Sequence, residues 1–121
     1  MEIQVKRVYA PAAPEDGLRV LVDRVWPRGM TRAAVHADLW LKEVAPSPAL
    51  RQWFGHDPTR WEAFKTRYFA ELEANPQPVE RLVALARTQR VTLLFAARDE
   101  QHNQAVALRE YLLRRAAQAP T

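Results

Sequence analysis

Asp23-Arg24 closes the apolar stretch Val20-Leu21-Val22, and Arg98-Asp99 follows the continuously apolar Val91-Thr92-Leu93-Leu94-Phe95-Ala96-Ala97. Each dipeptide joins a carboxylate, able to accept or return a proton, to a guanidinium shaped for two-point capture of carboxylate or phosphate. If two buried strands run parallel and side by side, both dipeptides share one rim. Ligand sites of α/β proteins gather at that carboxyl edge. Arg28 stands close by in Trp26-Pro27-Arg28-Gly29, where proline holds Trp26 extended and glycine permits a left-handed turn. His102 falls in the first turn beyond Arg98-Asp99 and is, with Asp23, the candidate to handle protons. Arg24, Arg28 and Arg98 are the candidates to hold an anion, Trp26 to wall the pocket, and Tyr9 and Asn103 to complete the binding set. An opposing reading uses the same charges: Asp23 pairs with Arg98, or Asp99 with Arg24, in a structural ion-pair network.

Other chemistries lack their residues. No cysteine is present, which removes disulfides, thiolate-ligated zinc and a thiol nucleophile together. His36, His56 and His102 lie in separate segments without a partner at metal-ligand spacing, so no metal site is expected. Gly17, Gly29 and Gly55 are too few for a phosphate-cradling glycine loop, and no cofactor is expected. Ser47 precedes Pro48 and has the place of a helix cap, not of a nucleophile. His56-Asp57 beside Phe54-Gly55 marks one helix stopping and the next starting. Trp53 and Trp61 fall at helical spacing and belong to the expected core, with Trp40 grouped beside them. No run of aromatics alternates with basic residues as single-strand nucleic-acid binders require.

The elements that position these residues follow from periodicity and breakers. Ile3 to Tyr9 mixes β-branched and polar residues as a half-buried strand does. Pro11, Pro14 and Gly17 mark a turn before a second strand, Leu18 to Val25. His36 to Leu41 fits a short strand or a helix equally. Ser47-Pro48 and Asp57-Pro58 each set an N-cap residue before a proline at the first helical position. The second pair opens a helix with Trp61, Phe64, Tyr68 and Leu72 on one stripe. Asn75-Pro76-Gln77-Pro78 breaks it, and Val79, Leu82, Val83 and Ala86 mark the next helix. Val91 to Ala97 has the unbroken apolar character of a strand covered on both faces. Asp99 is placed to cap a last helix carrying Val106, Leu108, Leu112 and Leu113.

Strands followed by helices predict an α/β fold, a small and largely parallel sheet of three to four strands with helices packed on it. About ten residues join the first two strands, near the lower limit for a parallel crossover, so hairpin and crossover both stay open there. A chain of 121 residues fits one domain, with its core in residues 3–113 and the tail 117–121 expected to fray. Hydrophobic residues at 48% and charged residues at 26% are globular values, which argues against disorder. No apolar run approaches a bilayer span, and Met1-Glu2-Ile3-Gln4 has neither part of a signal peptide. The expected location is the cytoplasm, with no membrane partner. A formal charge of +4 and an isoelectric point near 10.0 point toward acidic partners, nucleic acid included. That excess sits in the last third, where seven arginines from Arg81 to Arg115 face only Asp99, Glu100 and Glu110.

Four segments together resemble the YeaO-like family, a bacterial and archaeal family of unknown function. They are Lys6-Arg7-Val8-Tyr9, Val20 to Gly29, Trp40-Leu41-Lys42-Glu43-Val44-Ala45-Pro46-Ser47 and Thr92 to Asp99. The likeness runs from about Ile3 to Leu113 and implies no reaction, cofactor or catalytic residue. More distant cousins look as though they place cysteines near the last strand and its following helix. Phe95 and Asn103 occupy those neighbourhoods here, so thiol chemistry does not transfer.

Two functions are therefore weighed. The first is a small enzyme or ligand-binding protein for an anionic metabolite, with Asp23 or His102 handling protons and Arg24, Arg28 and Arg98 holding the anion. The second is a basic interaction module that binds nucleic acid or an acidic protein through the last helix.

Overall fold

The computed structural model describes residues 1–118. Four strands, β1 (Ile3–Arg7), β2 (Leu18–Leu21), β3 (Leu39–Trp40) and β4 (Val91–Phe95), form one sheet in the order β1-β4-β2-β3. Every pairing is parallel. Five α-helices accompany it: α1 (Arg32–Val35), α2 (Pro48–Phe54), α3 (Trp61–Glu73), α4 (Pro76–Thr88) and α5 (Gln104–Ala117). The expected α/β class is met. β1 and β2 do not form a hairpin, because β4 inserts between them and pairs with both.

β4 is central because its sequence suits no other place. All five of its residues are buried, and Val91 faces Ile3 on one side and Leu18 on the other. Side chains alternate across a strand, and the two cores follow that alternation. Val91, Leu93 and Phe95 join Val20 and Val22 in the larger core, which takes Phe64, Tyr68 and Leu72 from α3 and Val79, Leu82, Val83 and Ala86 from α4. Leu94 and Leu21 point the other way into a smaller core with Val8 and Val35, closed by Trp26 and Met30.

The caps proposed at Ser47 and Asp57 both form. Ser47 Oγ accepts the Leu50 N–H at 3.1 Å and donates to Glu71 at 2.6 Å. Asp57 Oδ1 accepts the Thr59 N–H at 3.0 Å and opens a 3-10 turn, Pro58–Arg60, that runs into α3.

Several boundaries differ from expectation, each for a local reason. β2 ends at Leu21, and Val25 is 59% exposed. Val22 N–H still reaches the Leu94 carbonyl at 3.1 Å, but the next donor, Ala96 N–H, turns to the Asp23 side chain at 3.0 Å. A carboxylate thus replaces the backbone in the ladder and the chain leaves the sheet. His36 caps α1 in the left-handed region (φ 49°), and only Leu39–Trp40 of the following stretch is strand. Asp99 does not cap the last helix. Its Oδ1 accepts the Gln101 and His102 N–H groups in an isolated turn, while Asn103 accepts the Val106 N–H at 3.1 Å as the cap of α5. Trp40 is not core either, since the residue is 38% exposed. Ala117 still belongs to α5 and Gln118 to a turn, and the rest of the tail expected to fray lies outside the described residues.

A polar cluster sits where periodicity alone promises none. Arg19 on β2 is buried, paired with the buried Asp16, and donates to the His36 and Val35 carbonyls at 2.9 and 2.8 Å. Lys6 reaches Asp16 Oδ1 at 3.0 Å. Burial works against the Asp16 charge, but the Ala13 N–H, Lys6 and Arg19 outweigh it and hold the acid below its ordinary range. Gly17 between them has φ 64°, and a Cβ there would collide with Arg90.

Candidate functional site

Asp23 is the centre of the carboxyl edge. It follows the buried Val22, so its main chain cannot move far. Its Oδ2 accepts the Ala96 N–H at 3.0 Å, its Oδ1 accepts from Gln104 Nε2 at the start of α5, and its carbonyl accepts from Trp40 Nε1 at 2.7 Å. One residue therefore ties the ends of β2 and β4, the start of α5, and β3. Burial raises its pKa to about 6, against the opposing pull of the Ala96 N–H, the Arg51 charge and Gln104. That value puts the carboxyl in the range where a group changes charge near neutral pH.

Around Asp23 opens a cavity of about 650 Å³. Arg24, Arg28 and Arg98 line it, with Tyr9 and Trp26, so six of the eight candidates from the sequence meet in one cleft. Neither proposed ion pair forms among the described residues. Arg24 instead spans to the loop before α2, donating to the Ala45 and Pro46 carbonyls at 3.1 and 3.3 Å. Trp26 is held by a bond from Nε1 to the Met30 carbonyl at 2.7 Å and an edge contact with Trp40 at 5.4 Å. Tyr9 donates to the Arg28 carbonyl at 3.1 Å, with the Arg7 guanidinium 4.7 Å over its ring. Arg28 and Arg98 are exposed.

His102 and Asn103 lie apart from this cleft. His102 Nδ1 is 2.9 Å from Asp99 Oδ2, and its ring meets Trp61 edge-on at 5.4 Å. The Gln101 N–H, with His102 adding to it against some loss of solvent, holds Asp99 below the usual carboxylate range. Asn103 is buried in its capping role, donates to the Asp99 carbonyl at 2.9 Å, and borders a small recess of about 30 Å³ beside the cleft.

Three cleft residues carry no signal of their own in the sequence: Arg51 on α2, His56 just beyond it, and Gln104. Arg51 sits on the exposed side of an amphipathic helix, as many arginines do. His56 has φ 57° after Gly55 at φ 54°, a left-handed pair that turns the chain back toward the rim. A histidine in that conformation is the one clue the segment held, and it is visible only in the backbone.

The arginines of α5 are largely engaged elsewhere. Arg109 donates to the Ile3 carbonyl at 2.6 Å, Arg114 pairs with Glu110 at 3.1 Å, and Arg115 pairs with Glu80. Among the described residues no three His, Asp or Glu side chains gather to hold a metal, and no helix is long and apolar enough to cross a membrane.

Fold and site together define an α/β domain on a four-stranded parallel sheet, with an arginine-lined cleft at the carboxyl edge. The chain belongs to the YeaO-like family: the family model described as "Inactive DUF488-N3 subclade" matches residues 2–120. It is 42% identical over 112 residues to "Uncharacterized protein YeaO" of Escherichia coli K12, covering 93% of this chain and 97% of the relative. Uncharacterized proteins of Mycobacterium bovis and Mycobacterium tuberculosis H37Rv are each 39% identical over 110 residues, covering 91% of this chain and 92% of theirs. No solved structure matches significantly.

Proposed function

We propose that this protein binds a small anionic metabolite in the carboxyl-edge cleft, and that it binds without turning it over. The observation that carries the reading is one cavity lined by Arg24, Arg28, Arg51 and Arg98 against two acids, Asp23 and Asp99. Guanidiniums at several angles suit a carboxylate or phosphate better than any neutral ligand. Val25, Trp26 and Pro27 supply an apolar wall for the body of the molecule. The word "inactive" in the description of the matching family favours binding over catalysis. The proposed compartment is the cytoplasm, which fractionation checks.

Thermal melts across a panel of carboxylates, phosphate esters and nucleotides test the proposal. A ligand that binds only the folded state raises stability by RT ln(1 + [L]/Kd). At least one anion should shift the wild-type midpoint. The double variant Arg51→Ala/Arg98→Ala should melt within ~0.5 kcal/mol of wild type, as exposed side chains do, and lose that shift. No shift anywhere in the panel, or an undiminished shift in the double variant, refutes the reading.

A further inference from the structure

We propose that the cleft takes up its oxyanion together with one proton, which Asp23 carries as a neutral carboxylic acid. The inference rests on the anion-binding reading above and adds the charge state of the acid beside the ligand.

Asp23 cannot turn away from an incoming anion. Ala96 N–H, Gln104 Nε2 and Trp40 Nε1 fix its two carboxyl oxygens and its carbonyl from three different elements. A carboxylate so held would repel the ligand inside the same cavity that the arginines make attractive. Burial already disfavours its charge, and a bound anion adds a second push in the same direction. Neutralisation leaves no polar atom stranded. The Ala96 N–H keeps its acceptor, and the new O–H donates to a ligand oxygen, or to Gln104 Oε1 once that amide turns over.

Every other charged group around the acid has a settled state. Arg24, on its own loop, holds the Ala45 and Pro46 carbonyls, and Arg28, Arg51 and Arg98 keep fixed charges. Asp99 is held ionised by the Gln101 N–H and His102. From α3, Tyr68 donates to the Val44 carbonyl and burial keeps it protonated, while Glu71 is bound to Ser47. Tyr9 donates its hydroxyl proton to the Arg28 carbonyl. His56 is the remaining cleft group of a type that titrates near neutral pH, and it serves as the control.

Calorimetric titration with sulfate and with benzenesulfonate tests the proposal, because neither probe changes charge across the range used. Affinity should weaken on going from about pH 5 to about pH 8, by roughly tenfold for each unit by which the bound anion raises the Asp23 pKa. Titrations at about pH 7 in two buffers of different ionisation enthalpy should report net proton uptake, which needs no variant. Asp23→Asn should bind both probes with one affinity across the range, while His56→Gln should keep the wild-type dependence. Binding that is present but flat with pH, without proton uptake, overturns this inference and leaves the parent reading standing. A dependence that survives in Asp23→Asn and vanishes in His56→Gln overturns it equally. No binding of either probe at any pH, in wild type or Asp23→Asn, removes this inference, and the metabolite panel then decides the parent reading.

Discussion

Asp23→Asn should stabilise the protein at neutral and alkaline pH, although it removes an acceptor from a dense set of hydrogen bonds. Burial raises the folded pKa of Asp23 from 3.8 to about 6. An acid raised in this way binds its proton more tightly when folded. Its contribution is full below the unfolded value near pH 4 and is lost as the pH rises through about 6. A shift of about two units corresponds to roughly 3 kcal/mol lost by wild type above about pH 7. Asparagine has the shape of the neutral acid. Its oxygen accepts the Ala96 N–H, and its amide donates to Gln104 Oε1 after that side chain turns over. The variant should therefore match wild type at about pH 4 and exceed it by roughly 1–3 kcal/mol at about pH 8. Urea unfolding at several pH values, with m held as a check on two-state behaviour, measures the difference. An Asp23→Asn protein less stable than wild type at about pH 8 would refute the reasoning, as would a gap that does not grow with pH. Either result would mean that the Ala96, Gln104 and Arg51 interactions outweigh burial and that the acid is ionised for structural reasons.

Other consequences are more local. Arg24→Ala should cost about 1–3 kcal/mol in denaturant melts, because the buried Ala45 and Pro46 lose the donor to their carbonyls; a near-neutral effect would show that water replaces it. Arg19→Met should cost about 3–5 kcal/mol, since it takes the buried charge partner from Asp16, leaving it Lys6 and the Ala13 N–H, and strands two carbonyls; a thermal midpoint close to wild type would contradict the buried pair. Gly17→Ala should cost at least ~2 kcal/mol, because φ 64° is strained for a side chain and a Cβ would press on the Arg90 Cβ at 2.9 Å and on its carbonyl; an unchanged melting temperature would mean that the turn relaxes freely.

The strands and helices were legible where one residue type repeats at one period. Val91 to Phe95 reads as a central strand because an unbroken apolar run must be covered on both faces, and β4 is so covered. Phe64, Tyr68 and Leu72 announce α3 by spacing, and the Ser47 and Asp57 caps announce their turns by oxygen chemistry. The end of β2 was not legible, because Val25 continues the apolar pattern while the Asp23 carboxylate takes the Ala96 N–H out of the backbone ladder. Arg19 was hidden for the converse reason. Its charge suggests solvent, but its partners, Asp16 and the Val35 and His36 carbonyls, arrive from turns whose course only the folded chain determines.

The site divides along the same line. Asp23, Arg24 and Arg98 could be named because each follows within a few residues of the end of a buried strand. Arg51, His56 and Gln104 could not, since each is unremarkable on its own element and meets the others only through topology. The insertion of β4 between β1 and β2 sets Ala96 beside Asp23, and the turn built on Asp99 delays α5 until Gln104 can reach the same carboxylate. Had Asp99 capped the helix directly, α5 would begin about four residues earlier, roughly a full helical turn. Gln104 would then sit within the helix and not at its mouth. The acid at the cleft owes its position to β2, and its raised pKa to burial among partners that chain order does not reveal.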